Sequence, residues 1–399
     1  MPERNTMKKI QELQQVKGDA YDYYIAGNED TDLFEKIFLV DDIVEEICKP
    51  DKYFLIGEKG SGKTAYSVYM SKSDKINSFC SISLVENTLY QRFLNMKRQK
   101  ALELSSFKDV WINLIYLILA EKIRKEYGET FFSSIKYKQL SKAIDVFYSD
   151  AFKPEFVNAF EFVDNASASI NSMMKQGLFS TGTKASAETS QKYVEQSFQI
   201  SLLKIRDGFE KAFMSVNLKK PTILFVDGID ARDIDNEQYF ECLVGLVNAV
   251  LEMNQSFLKE KQIKIMLLIR PDIMYKMPVH NMNQKLRNNS VLLNWVTSYR
   301  KYIDSKLFKI ADDYFMKQQD YSYELGECWN YYFPYKVEYQ EKWKAPDNPF
   351  VEFLRYSLYK PRDILTMLNE MVDATSGTQF KHSDFEGILS NYSTYLKGE

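Results

Sequence analysis

Gly57-Glu58-Lys59-Gly60-Ser61-Gly62-Lys63-Thr64 is the stretch on which the reading of this chain turns. It fits G-x-x-x-x-G-K-[ST] at every fixed position. Tyr53-Phe54-Leu55-Ile56, just before it, is a short apolar run ending at a glycine, which predicts a buried strand entering a turn. Residues 65–71, just after it, predict a helix. Glycines at 57, 60 and 62 let backbone N–H groups wrap an anion, and the following helix points its positive N-terminal end at the same place. In such a phosphate loop Lys63 adds a point charge, and the Thr64 hydroxyl ligates Mg2+. The expected nucleotide-contacting set is Gly57, Glu58, Lys59, Gly60, Ser61, Gly62, Lys63, Thr64 and Ala65, with a fortuitous glycine loop as the alternative.

Outward from the loop, Thr222-Ile223-Leu224-Phe225-Val226-Asp227 predicts a central strand with a carboxylate at its C-terminal edge. That is where a second Mg2+-linked group belongs, so Thr64 and Asp227 form the expected metal pair; a strand-terminal Asp capping a turn is the bland alternative. Asp230, three residues on, is a candidate to orient an attacking water, or else caps the turn or pairs with Arg232. Ile263–Ile269 predicts another buried strand, ended by Arg270. Arg270 is a candidate for stabilising transition-state charge, or for a salt bridge to Asp272. In Tyr359-Lys360-Pro361-Arg362-Asp363, Pro361 predicts a helix start, and Arg362 reaches back over phosphates or pairs with local acids. The catalytic candidates are thus Lys63, Asp227, Asp230, Arg270 and Arg362.

Strands alternating with helices predict an α/β parallel sheet with helices on both faces. Expected boundaries are a helical segment over 1–48, a nucleotide-binding core over 49–279 with a helical insertion at about 87–215, and a helical region over 280–399. Residues 177–190, small and polar, read as a loop. With 399 residues and 45% hydrophobic content, a substantial core is available. A net charge of −3 argues against bulk attachment to nucleic acid or anionic membrane, although Lys97-Arg98-Gln99-Lys100 offers a local basic patch. No apolar run approaches the ~20 residues a bilayer span needs. No leader-like pattern opens the chain either, so a cytoplasmic location is expected. Four scattered cysteines (Cys48, Cys80, Cys242, Cys328) and two histidines make no zinc pattern, and each cysteine is expected to be a small core side chain. The 27 Tyr and 27 Phe, spread along the whole chain, predict aromatic packing rather than a base-stacking platform.

Taken in order, Gly57–Thr64, "ILFVDGID" over 223–230, "LIRPD" over 268–272 and "YKPRDIL" over 359–365 resemble prokaryotic P-loop ATPases of the STAND and AAA+ division. That division includes a poorly characterised bacterial family of P-loop ATPases, with KAP-type NTPases more distant; the resemblance covers about residues 40–395. It implies an additional strand between the loop-bearing strand and the Asp227 strand, a C-terminal helical lid, and ATP rather than GTP as the nucleotide. It also implies that Arg270 and Arg362 sense nucleotide and lid state. Many members carry a second acid after the strand-end Asp, where this chain has Gly228, which implies slow hydrolysis.

The function expected on these grounds is an Mg-dependent ATPase switch. It would assemble with itself as a homo-oligomer or with a separate effector protein, in defence against phage or mobile DNA. Two alternatives stand beside it: a nucleic-acid-dependent motor or loader, and a non-hydrolysing, nucleotide-stabilised scaffold.

Overall fold

The computed structural model describes residues 7–25, 32–85, 107–132, 137–150, 202–229, 237–277, 282–337 and 347–398. Asp230, Arg232, His280, the basic patch at 97–100, the loop expected at 177–190 and most of the insertion lie outside the described residues. In chain order the strands and principal helices are β1 (Phe54–Ile56), α1 (Lys63–Lys72), β2 (Phe79–Leu84), α2 (Phe107–Phe132), β3 (Thr222–Asp227), α3 (Glu237–Asn254), β4 (Ile263–Ile269), α4 (Pro271–Lys276), β5 (Ser290–Leu292), α5 (Lys306–Met316), α6 (Glu327–Tyr332), α7 (Phe350–Tyr356) and α8 (Pro361–Ala374). They form two compact units. One comprises Met1–Ile47, Gly57–Asp74 and Leu292–Glu399; the other comprises Cys48–Ile56 and Lys75–Val291.

The sheet unit is α/β, with a five-stranded, all-parallel sheet in the order β2-β3-β4-β1-β5. β4 therefore lies between β1 and β3. Every residue of β1, β3 and β4 is buried, which is why these strands read as largely apolar runs rather than alternating ones. α3 packs on α2 and on β4. The α2–α3 crossing is close because position 245 has no side chain: a Cβ on Gly245 would stand 2.6 Å from the Phe107 Cβ. Trp111 completes the contact by donating its indole N–H to the Cys242 carbonyl at 3.0 Å. At the end of α3, the Asn254 side chain donates to the Ile265 carbonyl at 2.8 Å and accepts the Ile265 N–H at 2.9 Å, tying helix to strand. A lysine also enters this core. Lys264 in β4 is 7% exposed, donates to the Lys49 carbonyl at 2.8 Å, and burial lowers its pKa to about 8.

The other unit is helical and aromatic. Trp329 of α6 stacks on Phe333 with ring centroids 4.1 Å apart, and Phe350 meets Trp329 edge-on at 5.2 Å. Asp312, fully buried in α5, accepts the Gly326 and Trp329 N–H groups at 2.7 and 2.8 Å and so caps α6 from another helix. These contacts meet the expectation that the aromatics serve packing.

The helical segment expected over 1–48 is, in its described part, a 3-10 turn at Ile10–Glu12 followed by separate short helices at Tyr21–Ile25, Asp32–Ile37 and Asp42–Cys48. The cause is tertiary. The Lys8, Gln14 and Val16 N–H groups bond side chains of Gln319, Gln318 and Asn369, and the Ile10 N–H bonds the Gly377 carbonyl, so these groups need no helix. The region after 280 is not all helical, since β5 joins the sheet there. Cys48 is exposed, whereas Cys80, Cys242 and Cys328 are buried as expected, and all four are free thiols. Among the described residues, no helix is long and apolar enough to cross a membrane, and no cluster of acids, cysteines and histidines is suited to holding a metal ion.

Candidate functional site

The loop at 57–64 is shaped by what its glycines leave out. Gly60 and Gly62 sit at φ +80° and +92°, the left-handed region that costs a side-chain-bearing residue energy. Gly62 is the N-cap of α1, so the chain turns directly from the glycine loop into the helix. At Gly57 the constraint is space, because a Cβ would meet the Ser61 Oγ at 2.2 Å and the Leu293 Cβ at 3.1 Å. The Ser61 N–H closes a turn onto the Glu58 carbonyl at 3.1 Å. Lys63 folds back across the loop, its ammonium donating to the Gly57 carbonyl at 2.7 Å and the Glu58 carbonyl at 3.0 Å. A positive charge is thereby pinned at the mouth of a ring of backbone, beside the N-terminal end of a ten-residue helix.

Two later segments of the same unit press on this loop. At one end Leu293 lies against Gly57, and the Trp295 indole N–H donates to the Ser61 carbonyl at 2.9 Å. At Gly60 the Arg362 N–H donates to the Gly60 carbonyl at 3.3 Å, and the Arg362 Nε would lie 3.3 Å from a Cβ placed on Gly60. Arg362 is brought there by the start of α8, with Pro361 in the first turn and Lys360 as N-cap. The turn before it is strained, because Leu358 and Tyr359 both have positive φ, 50° and 59°. Tyr359 stacks on Tyr299 with centroids 6.3 Å apart, and the Arg355 guanidinium lies 5.3 Å from the centre of the Tyr299 ring. α1 itself is held by Tyr66, whose hydroxyl donates to Asp41 at 3.0 Å, and by Tyr69, which stacks on Phe38 at 4.2 Å. Trp295, Leu293 and Lys360 were not among the expected site residues. The loop and Trp295 are 234 residues apart in the sequence, and no motif marks the pairing.

In the sheet unit, Asp227 and Arg270 stand at the C-terminal ends of neighbouring strands. Val226 of β3 aligns with Leu267 of β4, and Ile269 aligns with Ile56, the last residue of β1. Asp227 is 8% exposed; its Oδ1 accepts the Gly228 N–H at 2.8 Å, and its carbonyl accepts the Val85 N–H at 2.7 Å. Gly228 has φ +93°, and a Cβ there would stand 2.4 Å from the Val85 carbonyl oxygen. No side chain fits at 228, because the chain leaving β2 at Val85 occupies that space. Arg270 forms a two-pronged ion pair with Asp272, Nε to Oδ1 at 3.0 Å and Nη2 to Oδ2 at 2.7 Å, which is the bland alternative raised for it. No family model matches the chain, nor does any curated protein or solved structure.

Proposed function

We propose that this chain is a P-loop nucleotide-binding protein, and within that class an ATP-binding switch of the STAND and AAA+ type. The observation that carries the reading is Lys63 clamped on the Gly57 and Glu58 carbonyls, at the mouth of a glycine loop that runs directly into α1. An anion-binding loop needs all three parts: glycines that allow close approach, a fixed cation, and a helix N-terminus. The strand order adds support, since β4 separates the loop-bearing strand from the strand that ends in Asp227, as the additional-strand class requires.

On this reading each group has its own task. Backbone N–H groups of the loop bind the phosphates, Lys63 neutralises their charge, and Thr64 is the hydroxyl suited to Mg2+. Asp227 is the strand-borne acid, and its bond to the Gly228 N–H fixes one carboxylate oxygen. Mg2+ would supply charge neutralisation of the transferring phosphoryl group. Arg362, anchored at Gly60, is the cation through which the C-terminal helices would sense nucleotide. Asp230 is the proposed water-orienting acid. ATP, Mg2+, self-assembly and a separate effector in defence against phage or mobile DNA all belong to this proposal.

Slow turnover has specific support. Gly228 leaves no place for a second acid, and the Arg270 fork is engaged by Asp272. These two facts also favour the scaffold reading, in which nucleotide is held without being consumed. Equilibrium binding of MgATP to the wild type and to Lys63→Ala tests the common core of both. A loss on the order of a hundredfold is expected from removing a charge that bonds phosphate. Equal affinity would remove the reading altogether. Phosphate release from the wild type beside Asp227→Asn then separates switch from scaffold: a drop in the variant supports hydrolysis, and no turnover in either supports the scaffold.

A further inference from the structure

We propose that Trp295 is a positioning residue of the phosphate loop, holding the Ser61–Gly62 peptide so that its N–H faces the bound phosphate. This inference rests on the nucleotide-binding reading above. The geometry starts from one hydrogen bond, Trp295 Nε1 to the Ser61 carbonyl at 2.9 Å. A trans peptide is planar, and its C=O and N–H point in opposite directions. Fixing the Ser61 carbonyl toward the indole therefore fixes the Gly62 N–H away from it. That orientation is otherwise weakly held, because Gly62 has no side chain and lies at φ +92°, and Gly60, on the other side of Ser61, lies at +80°. Glycine gives the loop its tight curvature, and the same freedom lets this peptide flip unless an outside group holds it.

The brace is itself anchored. Leu293, two residues earlier, sits against Gly57, with 3.1 Å between its Cβ and a Cβ placed there. Four residues later, Tyr299 stacks on Tyr359, and Tyr359 leads through Lys360 into Arg362, whose N–H bonds the Gly60 carbonyl. Loop, Trp295, Tyr299, Tyr359 and Arg362 thus make a closed circuit within one unit. Consecutive carbonyls, Gly60 and Ser61, are held by its two ends.

Trp295→Phe keeps the ring and removes the donor. Trp295→Gln supplies an amide donor in its place. Three readouts apply to both variants: MgADP affinity, hydrogen exchange of the loop amides in the nucleotide-free protein, and the melting temperature. Trp295→Phe is expected to bind MgADP about fivefold more weakly, the loss appropriate to one hydrogen bond. It should also exchange the amides at 60–63 faster, with an unchanged melting temperature. Trp295→Gln should recover part of the affinity and of the protection. Wild-type affinity and wild-type exchange in Trp295→Phe would overturn the proposal, as would failure of both variants to fold, which would make Trp295 a purely architectural residue. If the wild type binds no nucleotide, the nucleotide reading fails, and loop exchange in the free protein still decides whether Trp295 positions the loop.

Discussion

At position 228 a methyl group would stand 2.4 Å from the Val85 carbonyl oxygen, on a backbone at φ +93°. Both faults act together in Gly228→Ala, so a loss of about 3 kcal/mol is expected, read as a lower urea midpoint at constant m. Lys264 gives a second prediction, with a pH signature. Burial lowers its pKa from 10.5 to about 8, so between those values the unfolded chain holds more protons than the folded one. Stability from this group therefore rises as pH climbs from about 8 to 10.5, and the penalty is fully present below 8. Lys264→Met should stabilise the protein at pH 7 by about 2 kcal/mol, after allowing for the lost bond to the Lys49 carbonyl. The advantage over wild type should shrink and then reverse across that window as wild type regains its stability and keeps the bond to Lys49, and a pH-independent difference would contradict the assignment. The sequence made some residues legible and hid others at this scale. The glycine turn at Gly57–Thr64 and the helix after it could be read because their pattern lies within eight consecutive residues. Trp295 could not, because its role depends on which carbonyl it meets, and that is decided by folding across 234 residues.

At the scale of elements, the same contrast separates long buried strands from short ones. β3 and β4 announce themselves as six- and seven-residue runs closed by Asp227 and Arg270. β5 has three residues and only Val291 buried among them, so it has too little pattern to read. Amphipathic spacing in the N-terminal segment cannot reveal that the Gln318 and Asn369 side chains will take the Gln14 and Val16 N–H groups. Two predictions belong to elements. The α2–α3 crossing depends on Gly245, and Gly245→Leu should cost about 3 kcal/mol by overpacking against Phe107 and Lys108, measured by chemical denaturation. The turn into α8 carries Leu358 at φ 50° with its side chain 63% exposed, so it gains little from being leucine. Leu358→Asn, which tolerates that backbone conformation, should stabilise the protein by about 0.5–1 kcal/mol. A fall in melting temperature would show instead that the leucine side chain is needed.

For the whole molecule, the arrangement of the chain matters more than any contact. It passes between the two units after Ile47, Ile56, Asp74 and Val291. The sheet unit lies entirely within 48–291, whereas the glycine loop belongs to a unit drawn from residues 1–47, 57–74 and 292–399. A chain stopped at Val291 keeps the sheet core and lacks Trp295, Lys360 and Arg362. It should unfold cooperatively and show no saturable MgADP binding, as calorimetry would read directly. In the full chain, nucleotide at a hundredfold its dissociation constant should add about 2.7 kcal/mol to stability.

The N-terminal segment has a further consequence, which concerns time. The Lys8 N–H bonds the side chain of Gln319, 311 residues downstream, and Val16 bonds Asn369, 353 residues downstream. At about 5–20 residues per second, a ribosome takes roughly 15–60 s to make the chain between the first pair. The segment at 8–16 and the glycine loop are thus synthesised well before Trp295, Gln319, Arg362 and Asn369, which bond them, while the sheet unit can form on the way. A nascent chain of this protein would carry its glycine loop long before it had the indole and the guanidinium that hold it in shape.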